Sequence, residues 1–170
     1  MTVVVRETRE TTVRVEIVNE PARIEIATSV PFLDHMLTTL ARYMGSGVIV
    51  SARGDLKHHI IEDVAIAFGT ALAKHAPAFP ARFGDRTVPM DDALVQCVID
   101  IGGRPYYRGG LPSSLYEHWM RSFADSARAT LHIRVIRGWD RHHVVEGAFK
   151  ALGFALRQAL RPGDDVMGTK

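Results

Sequence analysis

Residues 58–72, HHIIEDVAIAFGTAL, align without a gap on residues 142–156, HHVVEGAFKALGFAL. Seven of the fifteen positions are identical, including both histidines and the glutamate, and the offset is 84 residues in a chain of 170. A second pair keeps nearly the same spacing. LDHML at 33–37 is followed 83 residues later by YEHWM at 116–120, each with an acid directly before its histidine. Self-similarity at half the chain length leaves few solutions: one supersecondary unit, built twice, with the copies sharing a core. The halves are read as residues 1–85 and 86–170.

The pattern within each half supplies the elements. TVRVEIV (12–18) alternates apolar and polar residues with period two, as a half-buried strand does, and residues 22–28 repeat it. Pro31 opens PFLDHMLTTLARYM, in which Phe32, Met36, Leu40 and Tyr43 keep helical spacing until Gly45 ends the run. A strand over 47–53 and a helix over 58–75 complete the first unit. Residues 76–92, with Pro77, Pro80, Gly84 and Pro89, read as a loop. The order then recurs, with strands at ALVQCVIDI and RPYYRG, a helix at SLYEHWMRSFADSARA, a strand at ATLHIRVIR and a helix from His142. The expected fold is α+β. It consists of two tandem ββαβα halves related by a pseudo-two-fold axis, with helices packed on one face of mainly antiparallel sheets. Val64, Phe68 and Leu72 fall on the packed face of the first HH helix.

The repeated motif carries the chemistry. Positions i and i+4 share a helix face, so His58 with Glu62, and His142 with Glu146, can each reach one ion. The adjacent His59 and His143 lie about 100° round the helix and point elsewhere. Two-fold symmetry suggests that each serves the metal anchored by the other half. That gives one set of His58, Glu62 and His143, and another of His142, Glu146 and His59. His35 and His118 add fourth ligands. Three imidazoles and a carboxylate leave two positions open on an octahedral ion, as catalysis requires. Nitrogen and oxygen donors without thiolate suit manganese, iron or zinc, with octahedral demand favouring manganese. A lone HH pair would more often be surface decoration, but duplication at matched spacing argues otherwise. His75, near a helix end, and His132, inside a strand, have no repeat partner and read as structural.

Composition removes other classes. A net charge of +2 is too small to argue for nucleic acid or a membrane surface. The single cysteine, Cys97, excludes an internal disulfide and falls in the apolar run LVQCVI, where a buried inert thiol is expected. No early segment reads as a signal peptide and no apolar run reaches membrane-spanning length, so a cytoplasmic enzyme or binding protein is expected.

FLDHML, HHIIED, RFG, PMDDAL, GGRPY, EHW, TLHI, HHVVE and FKA stand in this order along the chain. In that order they resemble the imidazoleglycerol-phosphate dehydratases, from about Arg6 to Lys170. The resemblance implies dehydration of imidazole glycerol phosphate to imidazole acetol phosphate in histidine biosynthesis. It also implies two Mn2+ per active site and a closed shell of 24 identical subunits with active sites at their interfaces. The family's metal ligands fall on His35, His58, His59, Glu62, His118, His142, His143 and Glu146, the set the repeat had already isolated. Its phosphate binders fall on Arg82, Arg104, Lys150 and Lys170, and its acidic residues on Glu10 in RETRET and Asp91 in PMDD. GDLKHH is about three residues shorter than the family's usual segment and lacks its acidic pair before HH.

The implied substrate explains such a site. The carbons that react bear non-acidic hydrogens, so direct proton abstraction is slow. An imidazole ring held by metals at both nitrogens can give up its proton and push electrons towards the neighbouring hydroxyl. Lys150, Arg82 and Arg104 would hold the phosphate, with Glu10 the first candidate for proton transfer and Asp91 the second. The rival enzyme reading is a two-metal hydrolase acting on a small phosphorylated substrate. A metal-storage or metal-sensing shell is the rival from another class; it has no need of the arginine and lysine set.

Overall fold

The computed structural model describes residues 1–163. Twelve elements follow one another: β1 (Thr2–Glu7), β2 (Thr11–Val18), β3 (Ile24–Ala27), α1 (Pro31–Met44), β4 (Gly47–Gly54), α2 (Lys57–His75), β5 (Phe83–Met90), β6 (Ala93–Asp100), β7 (Tyr106–Arg108), α3 (Ser114–Ala127), β8 (Thr130–Arg137) and α4 (Arg141–Ala159). The duplication is exact in topology. The first sheet has the order β1-β2-β4-β3 and the second β5-β6-β8-β7. In each, two antiparallel pairings are followed by one parallel pairing at the far edge.

Each half carries one more strand than ββαβα, because a hairpin partner precedes it. In the second half that partner is β5, inside the stretch read as a loop. The reason lies in its burial: only Gly84 and Val88 are buried among its eight residues, so alternation is faint, and Pro89 sits within it. Proline is tolerated because β5 is an edge strand. Gly84 marks close packing, since a Cβ there would lie 2.0 Å from the Ala155 carbonyl oxygen of α4.

The inner strands show why the sheets have an inside. Val13, Val15 and Ile17 on β2, and Val95, Cys97 and Ile99 on β6, are buried, while Arg14 and Val98 between them are exposed. Each such aliphatic side chain contributes about 1.5–3 kcal/mol on burial. Helices α1 and α2 cover the inner face of the first sheet, and α4, with α3 beside β7, covers the second. The two helical layers then pack together, α2 against α3 and α1 against α4, around Phe68, Trp119, Phe123 and Phe149. Sheets lie outside and helices inside. This crossed packing brings the N-terminal part of each half's first helix to the HH helix of the other half. Among the described residues no helix is long and apolar enough to cross a membrane.

Candidate metal centre and active site

The clearest donor group joins both halves. His35 on α1, and His142 and Glu146 on α4, offer ligand atoms that all lie within 4.8 Å of one another. Glu146 Oε2 stands 3.0 Å from His142 Nε2 and 3.2 Å from His35 Nε2. Its other oxygen, Oε1, accepts from Lys150 Nζ at 2.9 Å, one turn further along α4. Burial raises the Glu146 pKa, but the hydrogen bonds from Lys150, His35 and His142 outweigh it and hold the carboxyl below its ordinary value. The pseudo-symmetric site is more open. His118 Nε2 on α3 lies 3.2 Å from Glu62 Oε1 on α2, with about half the His118 and two fifths of the Glu62 side chain exposed. His58 shares that helix end and meets His59 edge-on at 4.2 Å between ring centroids.

Within one chain, His59 and His143 do not cross to the other half's carboxylate. Each is held by acids of its own half. His59 Nδ1 donates to Asp55 Oδ1 at 2.8 Å, with Glu10 Oε2 at 3.8 Å. His143 Nδ1 donates to Asp92 Oδ1 at 2.6 Å, and Asp91 Oδ2 lies 3.3 Å from its Nε2. These bonds raise the pKa of both imidazoles. Asp92 is brought down to about 2, first by the Trp139 N–H and then by His143. Asp55 is lowered chiefly by His59. Sequence reasoning singled out Asp91 and passed over Asp92, Asp55 and Asp140. The paired acids of PMDD were the available signal: they form the two-residue β5–β6 turn, with Asp91 at φ +47°, a conformation aspartate tolerates. Asp140 caps α4 and accepts from the backbone N–H groups of His142 and His143, fixing the helix start on which both rings are mounted.

The arginines lie elsewhere. Arg82, at φ +74°, precedes β5 and pairs with Asp100 at the end of β6, Nε–Oδ1 2.6 Å and Nη2–Oδ2 3.1 Å. The Arg104 carbonyl accepts from Thr130 Oγ1, and Thr130 is the register partner of Asp100. Both arginines therefore sit at one end of the second sheet, whereas Asp91 and His143 sit at the other. The eight residues of β5 between them span about 25 Å. Lys170 lies outside the described residues. His132 is exposed on the outer face of β8 beside Tyr106, and His75 ends α2 with Thr2 Oγ1 at 3.4 Å from its Nδ1.

Residues 28–156 match the sequence profile described as imidazoleglycerol-phosphate dehydratase. The chain belongs to this family. Its matched segment contains both HHxxE motifs, His35 and His118. An imidazoleglycerol-phosphate dehydratase of Pyrobaculum calidifontis is 48% identical over 181 residues, covering 97% of this chain and 96% of the relative. The crystal structure of IGPD from Pyrococcus furiosus in complex with (S)-C348 superposes with a TM-score of 0.91 at 40% identity, covering 98% of both chains. The imidazoleglycerol-phosphate dehydratase from Staphylococcus aureus gives 0.82 at 30% identity, covering 96% of this chain and 100% of the other.

Proposed function

We propose that this protein is a metal-dependent lyase that dehydrates imidazole glycerol phosphate to imidazole acetol phosphate, a cytoplasmic step of histidine biosynthesis. The observation that carries the reading is the convergence of His35, His142 and Glu146, donors from both halves, inside the segment that matches the family. Their chemistry fits a first-row divalent ion: two imidazole nitrogens and a carboxylate oxygen, with no thiolate. The proposed cofactor is two Mn2+ per active site, one per half-crossing set. When bound, the ions supply Lewis acidity and a template for the substrate's imidazole ring.

The rest of the work belongs to side chains. In the net reaction the C–O bond next to the ring breaks and a proton leaves the neighbouring carbon. The resulting enol takes a proton at carbon and becomes the ketone, with water as the other product. Glu10 and Asp91 are the candidates for moving these protons. Both are exposed carboxylates at hairpin turns beside His59 and His143. Lys150, on the same face of α4 as Glu146, is the first candidate for phosphate contact. Arg82 and Arg104 have the fork geometry for bidentate phosphate contact, but they lie a sheet length away from the histidine end of their own half. A complete site then draws its arginines from a neighbouring copy, in keeping with the closed homo-oligomer, 24 subunits, that the family resemblance implies. The alternative, a two-metal hydrolase, is not favoured, because the family match covers both halves of the constellation.

The test is direct. Purified protein is stripped with a chelator and assayed for formation of the ketone, and for phosphate release, with and without Mn2+. Ketone formation that depends on Mn2+ supports the reading. Full activity in protein shown by elemental analysis to hold no metal would overturn it, and phosphate release without ketone would favour the hydrolase.

A further inference from the structure

The second histidines of the two HH pairs, His59 and His143, share a feature that the duplicated motif does not encode. Each has a carboxylate on Nδ1 at hydrogen-bond distance, 2.8 Å from Asp55 and 2.6 Å from Asp92. A carboxylate only accepts, so Nδ1 carries the hydrogen in both rings. Nε2 of His143 faces the exposed Asp91 carboxylate at 3.3 Å, and there it is a bound cation that would select the Nδ1–H form with its lone pair on Nε2.

These acids come from different places. Asp92 directly precedes β6, in the β5–β6 turn. Its counterpart in the first half is Glu10, which directly precedes β2. Glu10 stops 3.8 Å from His59 Nδ1. The bond is made instead by Asp55, in the short β4–α2 connection, four residues before His59. One and the same contact is thus built twice by non-equivalent routes. Repeat symmetry alone would have given a second hairpin acid; what recurs is the bond itself. Asp92 is in turn fixed, since its Oδ2 accepts from the N–H groups of Trp139 and Asp140 at 2.8 and 3.1 Å. Asp55 also accepts from the Leu56 N–H at 2.6 Å.

We propose that Asp55 and Asp92 are positioning residues that hold His59 and His143 in the Nδ1–H tautomer and present Nε2 as the metal-binding atom. The inference rests on the metal-dependent reading above. Outer partners of this kind set ring orientation and raise ligand basicity, and their loss costs about 10–100-fold in metal affinity. Glu10 remains free of this role, which leaves its carboxylate available for proton transfer.

Asp55 is the cleaner site to change, because Asp92 also anchors the start of α4. The experiment titrates Mn2+ into the chelated full-length protein, wild type, Asp55→Ala and Asp55→Asn, by calorimetry. Histidine nitrogen shifts of the metal-free proteins are recorded by NMR. The expected result is a 10–100-fold weaker affinity in Asp55→Ala, partial recovery in Asp55→Asn, which keeps an acceptor oxygen, and a mixed tautomer at His59 in the alanine variant only. Wild-type affinity in Asp55→Ala, a loss that Asp55→Asn does not recover, or unchanged nitrogen shifts overturns the proposal. Failure of the wild type to bind Mn2+ would instead overturn the metal-dependent reading itself, so the two failures are distinguishable.

Discussion

His35 Nε2 stands 3.2 Å from Glu146 Oε2 although 111 residues separate them in the chain. The pseudo-two-fold counterpart, His118 and Glu62, closes to the same 3.2 Å. Each carboxylate of an HHxxE helix is thus completed by the other half's first helix.

Two consequences are measurable. His35→Ala and His118→Ala should each abolish tight binding of one ion of two while leaving the fold intact, because both rings are about half exposed. The loss of affinity for that ion should exceed about 100-fold, since a mere outer partner accounts for about 10–100-fold. His132→Ala is the control. His132 is exposed on the outer sheet face, so its removal should change neither metal content nor stability by more than about 0.5 kcal/mol. Metal stoichiometry by elemental analysis decides between these outcomes.

If Lys150 meets the substrate phosphate as proposed, metal loading should separate that role from its pairing with Glu146. Lys150 Nζ pairs with Glu146 Oε1 at 2.9 Å, where Lys150 keeps 17% and Glu146 8% of its side-chain exposure. An ion on Glu146 would take over that charge balance and release the ammonium towards a phosphate. Lys150→Met should therefore destabilise the chelated protein by about 1.5–3 kcal/mol, the range for a charged hydrogen bond. The Mn2+-loaded protein should be affected much less. Binding of the phosphorylated substrate should weaken sharply, while imidazole binding is unchanged. Equal destabilisation in both states, with unchanged kinetics, would mean that Lys150 serves only the fold.

What could be read from the residues follows the strength of their periodicity. Helices α1 to α4 were legible because the apolar spacing is regular and signals such as Pro31 and Gly45 bracket α1; Gly45 does adopt a left-handed cap at φ +75°. Strand β5 was not, because an edge strand buries too little to impose alternation. The eight candidate ligands were legible from the repeat. Their sorting into sets was not: the i, i+4 rule ties His142 to Glu146, yet only tertiary packing of α1 on α4 brings in His35. Asp92 was hidden beside Asp91 because only the folded β5–β6 turn decides which of two adjacent carboxylates meets His143 Nδ1.

The alkaline limb of stability should report on Tyr107. Its hydroxyl donates to Glu117 Oε2 at 2.7 Å. Burial first, and then the Glu117 hydrogen bond and charge, raise its pKa. The folded state therefore resists losing this proton, while the unfolded chain releases it near pH 10. The contribution is fully present below that pH and is lost as the pH rises above it. Chemical unfolding from pH 8 to 11 should show falling stability, and Tyr107→Phe should flatten the slope. A slope unchanged in Tyr107→Phe would assign it to other groups.

A chain-mixing experiment tests whether the active site is shared. The histidine end of the second half, around Asp91 and His143, lies about 25 Å from the end that carries Arg82 and Arg104. That gap exceeds the reach of one small phosphorylated imidazole. If both ends serve one substrate, they belong to different copies. Arg104→Ala then spoils the site to which a chain lends its arginine, and His142→Ala spoils the site that a chain builds with its own metal ligands. Each variant alone should be nearly inactive. After the two are unfolded together and reassembled, some sites combine the intact histidine end of one variant with the intact arginine end of the other. Activity should return, to as much as about a quarter of wild type for random equal assembly of two-chain sites. Reassembly of either variant alone is the control and should recover nothing. If the mixture stays as inactive as its components while light scattering shows co-assembly, the arginines serve no neighbour's site.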